Sequence, residues 1–106
     1  MPKKVGTDTF RAQVLEAQRP VVAEFYADGC VPCRRLAPIL SALEEEYAGT
    51  VDFVKINTGA NEALTQTYGI LASPTLILFR DGAEQARLRG AVKKPELIKW
   101  IGEQTL

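Results

Sequence analysis

The sequence contains no histidine, only two cysteines and no excess of charge of either sign. Structural zinc sites are built mainly from Cys and His, of which this chain offers only Cys30 and Cys33. Lys and Arg together number 13, as do Asp and Glu, so the charge balance does not favour nucleic acid or an anionic membrane as a partner. These absences argue against the commonest zinc-binding, nucleic-acid-binding and membrane-binding functions.

Long apolar runs are also missing. No segment approaches the roughly 20 apolar residues of a membrane span, and the basic start, MPKKVGTDTFRAQ, lacks the apolar stretch of a signal peptide. We therefore expect a cytoplasmic protein with no membrane contact. With 106 residues, 46% of them hydrophobic, the chain has the size of one compact domain. The sequence predicts a single domain over residues 1–106, acting as a monomer.

The hydrophobic pattern predicts alternating helices and strands. Apolar residues at helical spacing predict helices in TDTFRAQVLEAQ, capped by Thr7 or Asp8, over residues 32–47, in NEALTQTYG and in KKPELIKWIGEQ. Apolar or alternating runs predict strands in PVVAEFYA, VDFVKIN, TLILF and ARLRG, the last two joined by the hairpin turn RDGAEQ. A strand in MPKKVG would be very short or absent. The order predicts an α/β fold with a central mixed sheet of four to five strands and about four helices.

Both cysteines lie in ADGCVPCRR, where a central strand turns into the long second helix. Free N–H groups and the helix dipole favour an anion there, which makes Cys30 the predicted attacking thiolate and the more covered Cys33 the resolving thiol. Arg34 and Arg35 add positive charge, whereas Asp28 opposes the thiolate. Two such thiols are enough to reduce a partner disulfide, because one forms a mixed disulfide with the partner and the other then displaces the partner.

The spacing of the pair affects the geometry of its bridge. Side chains three residues apart on a helix have Cβ atoms about 5–6 Å apart, against roughly 3.8 Å in a disulfide. A Cys30–Cys33 disulfide would therefore require a distorted first turn of the second helix, and we expect the bond to be labile. The alternatives are a structural staple, which would normally join distant segments, or half of a metal site completed by carboxylates or by a second subunit.

Several ordered features resemble the thioredoxin family over nearly the whole chain. They are the strand VVAEFYA running into Cys-x-Pro-Cys, the segment YGILASPTLILF, the Asp-Gly hairpin and Gly90. The resemblance implies a thioredoxin fold and a protein disulfide reductase without a bound cofactor. It also implies two kinds of partner, namely a flavin-containing thioredoxin reductase as the electron donor and disulfide-bearing target proteins.

The resemblance implies a substrate-binding surface of Gly29, Val31, Pro32, Ser73 and Pro74, from which this sequence departs at three positions. Gly29 replaces the usual Trp, Val31 the usual Gly, and Ser73 the usual Ile. Pro74 should form a cis peptide bond that leaves the backbone of Ser73 free to pair with an extended substrate segment. Ser73 is either a polar change in that groove or simply a loop residue.

Glu24 is a carboxylate in an otherwise apolar strand, a costly position unless it has a partner or a function. It stands where the family has a buried Asp that assists the resolving thiol, and Lys55 resembles the lysine beside that acid. We therefore expect Glu24 to accept the proton of Cys33, with a pKa raised by burial and lowered again by Lys55. The alternative is an ion pair that reaches solvent at the strand end.

Two other functions remain open at this point. Disulfide oxidases and isomerases usually have a His between their cysteines, which raises the reduction potential, so Val31 favours a reductase instead. A thioredoxin-fold binding or assembly module would not need its cysteines, and both are present here.

Overall fold

A computed structural model describes residues 1–106 as one mixed sheet with helices on both of its faces. The strands are β1 (Lys3–Lys4), β2 (Val21–Tyr26), β3 (Asp52–Asn57), β4 (Thr75–Arg80) and β5 (Ala83–Arg89). The helices are a short π-helix (Arg11–Leu15), α1 (Val31–Glu46), α2 (Glu62–Thr67) and α3 (Lys94–Thr105). This arrangement confirms the predicted α/β fold. None of these helices combines the length and apolar character needed to cross a membrane.

The strand order β1-β3-β2-β4-β5 places β2 at the centre of the sheet. β1 and β2 run parallel to β3, whereas β4 is antiparallel to both β2 and β5. The end of β2, the end of β3 and the start of β4 therefore meet at one edge, since Tyr26 pairs with Asn57 and Phe25 with Thr75. This edge carries both the loop into α1 and the segment before β4.

Two apolar clusters lie on opposite faces of the sheet. Side chains alternate between the faces along β4, where Leu76 and Leu78 face one cluster and Ile77 and Phe79 the other. α1 and α3 cover the first cluster, which includes Leu36, Leu40, Leu43, Leu97, Trp100 and Ile101. The π-helix and α2 cover the second cluster, which includes Phe10, Val14 and Leu64. A sheet buried on both faces explains the nearly continuous apolar runs of β2 and β4.

The first helix forms within the predicted segment TDTFRAQVLEAQ, but it is shorter than predicted. It covers Arg11–Leu15, preceded by Phe10 in a helical conformation, and its defining bond joins Glu16 N–H to the Arg11 carbonyl at 2.8 Å, a π-helical pattern. Neither Thr7 nor Asp8 caps it. Thr9 instead accepts the Gly6 N–H at 3.0 Å, so the residues before the helix form a local turn.

The second hairpin strand is longer than predicted. β5 begins at Ala83, directly after a two-residue turn, rather than at Ala86. Both turn residues have positive φ, 55° at Asp81 and 78° at Gly82, as the tightest hairpin connection requires. At the other end of the sheet β1 exists but is only two residues long, pairing Lys3 with Val54 and Lys4 with Lys55.

Candidate active site

Cys30 and Cys33 form a disulfide at the start of α1, with their Cα atoms 5.2 Å apart. Cys30 is the N-cap residue, with φ −86° and ψ 107°, so it lies just before the helix in an extended conformation. The predicted distortion of the first turn is therefore wrong, because only Cys33 belongs to the helix. The extended backbone of Cys30 brings the two sulfurs together.

The first turn of α1 directs a hydrogen bond at the sulfur of Cys30. The Cys33 N–H donates to Cys30 Sγ at 3.2 Å, and Pro32, which has no N–H, occupies the first turn without losing a bond. A backbone donor and the positive end of the helix dipole both stabilise negative charge on Cys30. Arg34 and Arg35 are exposed on the same turn.

The two cysteines differ in exposure. Cys33 is buried, with 7% of its surface exposed, whereas Cys30 is half-buried and its neighbours Gly29, Val31 and Pro32 are exposed. Val31 is 46% exposed, an unusual position for a valine. Gly29 has φ 73°, a left-handed conformation that disfavours the side chain of a Trp or any other L residue. Access to the pair is therefore through Cys30.

The segment before β4 lies against Cys30. The Ser73–Pro74 peptide bond is cis, as the resemblance implies, and the Ser73 carbonyl oxygen is 3.6 Å from Cys30 Sγ. The Pro74 carbonyl accepts the Gly90 N–H at 2.8 Å, and the buried Thr75 donates from Oγ1 to the Ala72 carbonyl at 2.7 Å. These two bonds hold Ser73 and Pro74 beside the disulfide.

Glu24 is buried in the middle of β2, with 4% of its surface exposed. Its Oε2 has no hydrogen-bond partner, and it forms no salt bridge with Lys55, which is paired with it in register on β3. Burial raises the pKa of Glu24 to about 7, an effect that the positive charge of Lys55 partly offsets. The alternative of a solvent-reaching ion pair at the strand end is therefore wrong.

One pocket connects Glu24 with the buried cysteine. It has a volume of about 280 Å³, and Glu24, Cys33 and Lys55 all line it. The pocket is large enough for water, and the side chains of Glu24 and Lys55 offer it polar partners. The Lys55 ammonium lies 5.7 Å from the ring centroid of Tyr26, another lining residue, within the range of a cation–π interaction. The structure thus brings together Glu24, Cys33 and Lys55, the three residues predicted to take part in proton transfer.

Three residues at this edge were not identified from the sequence. Tyr26 lies two residues after Glu24 on the same face of β2, so the period of two along a strand was a usable signal. Asn57 donates from Nδ2 to Asp28 Oδ1 at 3.1 Å and ties the cysteine loop to β3. Leu71, before Ser73, is 86% exposed, and no periodicity marks it.

The geometry gives no support to the metal-site alternative. No three His, Cys, Asp or Glu side chains are grouped so that they could hold a metal ion. Cys30 and Cys33 are bonded to each other instead.

Comparisons with known proteins agree with this site. A protein-family model described as Thioredoxin matches residues 1–103. Thioredoxin 1 of Synechococcus elongatus is 40% identical over 93 residues, which cover 88% of this chain and 87% of that protein. The thioredoxin of Streptomyces clavuligerus is 38% identical over 97 residues, covering 92% and 90%. The thioredoxin of Rickettsia felis is 34% identical over 103 residues, covering 97% and 98%.

Proposed function

The chain belongs to the thioredoxin family and is a protein disulfide oxidoreductase, and from this premise we propose a role for each residue of its site. Cys30 is the attacking thiolate and Cys33 the resolving thiol. The observation that carries this assignment is the Cys33 N–H donated to Cys30 Sγ at 3.2 Å, while Cys33 itself is only 7% exposed. The helix start favours charge on the accessible sulfur and leaves the covered one to react second.

The reaction balances over two displacements. The Cys30 thiolate attacks one sulfur of a partner disulfide, and the other partner sulfur leaves as a thiolate and takes up a proton. Cys33 then loses its proton and attacks the Cys30 sulfur of the mixed disulfide. The second partner sulfur leaves and is protonated in turn. The partner has gained two electrons and two protons, of which one balances the proton lost by Cys33 and the other comes from water, and the chain is left with the Cys30–Cys33 disulfide.

Glu24 is the proton acceptor for Cys33 in this proposal. Both groups line the 280 Å³ pocket, in which water carries the proton between them. With a pKa of about 7, Glu24 is poised to accept or release a proton near neutral pH. Lys55 keeps enough of the carboxylate ionised through its nearby positive charge.

The exposed residues around Cys30 contact the partner. Gly29, Val31 and Pro32 offer an exposed apolar surface without bulk, whereas Ser73 is half-buried and Pro74 is buried, with the Ser73 carbonyl 3.6 Å from the sulfur. An extended partner segment pairs with the backbone of Ser73, as a strand adds to a sheet edge.

A flavin-containing thioredoxin reductase supplies the electrons, disulfide-bearing proteins accept them, and the chain acts as a monomeric carrier without a bound cofactor. An insulin-reduction assay tests the electron donor. Insulin should be reduced when both the chain and such a reductase are present, and not when the chain is present alone. Sedimentation of the purified chain tests whether it is a monomer. Location in the cytoplasm stays a prediction, which fractionation of cells tests.

Trapping experiments test the two cysteine roles. Cys33→Ser keeps the attacking thiolate but cannot resolve the mixed disulfide, so it should accumulate stable covalent complexes with insulin chains through Cys30. Cys30→Ser should trap few or none, and alkylation of the reduced chain near neutral pH should label Cys30 first. If Cys30→Ser is the variant that traps insulin, the two roles are reversed.

A further inference from the structure

A shallow groove with an apolar floor and two cations at its rim lies between α1 and the segment that leads into α3. It has a volume of about 250 Å³ and is lined by Arg35, Leu36, Ile39, Ala91, Val92 and Lys93. We call these six residues the cationic groove. No Asp or Glu lines it. Its volume is below the roughly 300–1,000 Å³ of pockets for small molecules, so it suits a side chain of a protein segment better than a cofactor.

One end of the cationic groove follows closely on the disulfide along the chain. Arg35 comes two residues after Cys33 on α1, a rise of about 3 Å along the helix axis. Ala91 follows Gly90, whose N–H is bonded to the Pro74 carbonyl at 2.8 Å, and Ser73 O is 3.6 Å from Cys30 Sγ. A chain whose cysteine is bonded to Cys30 therefore reaches the groove within a few residues.

The two cations at the rim are exposed and have no ion-pair partner within the protein. Arg35 and Lys93 take part in none of the four salt bridges and donate no side-chain hydrogen bond, whereas the neighbouring Lys94 is paired with Glu46. Segments 27–35 and 89–93 contain four cations and one acid, although the whole chain is neutral; they are Arg34, Arg35, Arg89, Lys93 and Asp28. The positive charge is thus concentrated on the reactive side.

We propose that the cationic groove binds an acidic segment of the disulfide-bearing partner, with an apolar side chain on its floor and flanking carboxylates on Arg35 and Lys93. The inference rests on the proposed reductase function and adds a preference among its substrates. Charge complementarity of this kind raises the association rate and makes it sensitive to salt.

Three synthetic peptides test the proposal, each with the same intramolecular disulfide and dithiothreitol as the reductant. Near one cysteine they contain Glu-Leu-Glu, Gln-Leu-Gln or Lys-Leu-Lys. The acidic peptide should have a kcat/KM about tenfold above that of the basic peptide at low salt, since each exposed ion pair contributes about a two- to fivefold effect. The difference should collapse at about 1 M salt, where the Debye length is about 3 Å.

Single-residue variants test whether the preference for the acidic peptide depends on the cationic groove. Arg35→Gln and Lys93→Gln should each lower the ratio of acidic to neutral kcat/KM about two- to fivefold. Lys99→Gln removes the same charge from an exposed position on α3 outside the groove and should leave the ratio unchanged. Replacing the peptide Leu by Ser should slow reduction of the acidic peptide, because it loses its contact with the apolar floor.

A failure of the groove inference can be distinguished from a failure of the proposed function. If the chain does not reduce the neutral peptide, the proposed function is wrong and the groove inference fails with it. If the neutral peptide is reduced and the acidic one is no faster, only the groove inference is wrong. A dimer in sedimentation that the Arg35→Gln/Lys93→Gln double variant abolishes would show that a second copy of the chain covers the groove, which also overturns the inference.

Discussion

At the scale of single residues, Glu24 is the least favourable side chain of the site for stability. A buried carboxyl oxygen without a hydrogen-bond partner costs free energy, and an ionised one costs more. The same burial raises the pKa of Glu24 to about 7, since it favours the neutral form. Leu at this position would pack into β2 without the penalty, so the carboxyl is better explained by chemistry than by folding.

The cost of Glu24 predicts a pH-dependent gain in stability for Glu24→Gln. In the unfolded chain the carboxyl ionises near pH 4.5, whereas in the folded chain it holds its proton to about pH 7. Between these values the folded state binds more protons, so the wild type loses stability as the pH rises. Glu24→Gln should be more stable above pH 7 by on the order of 3 kcal/mol, with little difference at pH 4.

Urea unfolding of the disulfide forms at pH 4, 6 and 8 measures this difference. Glu45→Gln, an exposed position on α1 outside any salt bridge, is the matched control and should show no such trend. A difference between Glu24→Gln and wild type that stays constant with pH would mean that the carboxyl is not held neutral in the fold.

The same substitution separates the two chemical steps. If Glu24 accepts the proton of Cys33, Glu24→Gln should slow resolution of the mixed disulfide near neutral pH by about 10²-fold or more and leave the first attack by Cys30 nearly unchanged. Rapid-quench kinetics with a preformed mixed disulfide measure the second step alone. Equal slowing of both steps would indicate damage to the fold rather than loss of a proton acceptor.

At the scale of elements, the β4–β5 hairpin turn packs against the end of the π-helix. Gly82 has φ 78°, and a Cβ placed on it would lie 3.1 Å from the Leu15 carbonyl oxygen. Gly82→Ala should therefore destabilise the chain by about 1–3 kcal/mol, through its left-handed backbone and through this contact with a rigid backbone atom. The denaturant midpoint of unfolding measures the loss.

A second glycine is the matched control for this prediction. Gly102 lies inside α3, and a Cβ built on it meets nothing within 4 Å. Gly102→Ala should stabilise the chain by about 0.5–1 kcal/mol, because Ala has the higher helix propensity. Changes of the same sign in both variants would show that the two backbone environments do not differ as described.

The elements also show how far the sequence determines the fold. Apolar runs and helical spacing predicted β2, β3, β4, α1 and α3 nearly to the residue, since burial on both faces of a sheet leaves a strong pattern. The length of the first helix was overestimated. Thr9 accepts a hydrogen bond from Gly6, so the residues predicted as the first turn of the helix form a local turn instead, a competition that periodicity does not reveal.

In the site, as in the fold, some features were predictable from the sequence and others were not. Position along the chain was enough to assign Cys30 and Cys33 to a strand–helix junction and Glu24 to a buried strand. The conformation of Cys30 was not predictable from its spacing to Cys33, because the N-cap residue lies outside the helical geometry. The Asn57–Asp28 hydrogen bond joins residues 29 positions apart, and only the sheet brings them together.

At the scale of the whole molecule, the redox site and the far end of α3 lie at opposite ends of β4. Pro74 precedes the first residue of β4, whereas Arg80, its last residue, donates from Nη1 to the Gln104 carbonyl at 3.4 Å. Six residues of strand span about 17 Å. Trp100 lies four residues before Gln104, about 6 Å along the axis of α3, and is therefore nearer to this far end than to the start of α3 at Lys94.

This separation predicts that Trp100 reports on unfolding but not on the redox state. It is the only Trp of the chain, it is buried in the cluster beneath α1 and α3, and it does not line the pocket at Cys33 and Glu24. Its emission should change little when dithiothreitol reduces the disulfide and should shift to longer wavelength when urea unfolds either form. Unfolding curves followed through Trp100 can then compare the oxidised and reduced chains on one scale. A several-fold change in emission on reduction alone would place the indole near the disulfide, or reveal a rearrangement of α3 that accompanies the redox reaction.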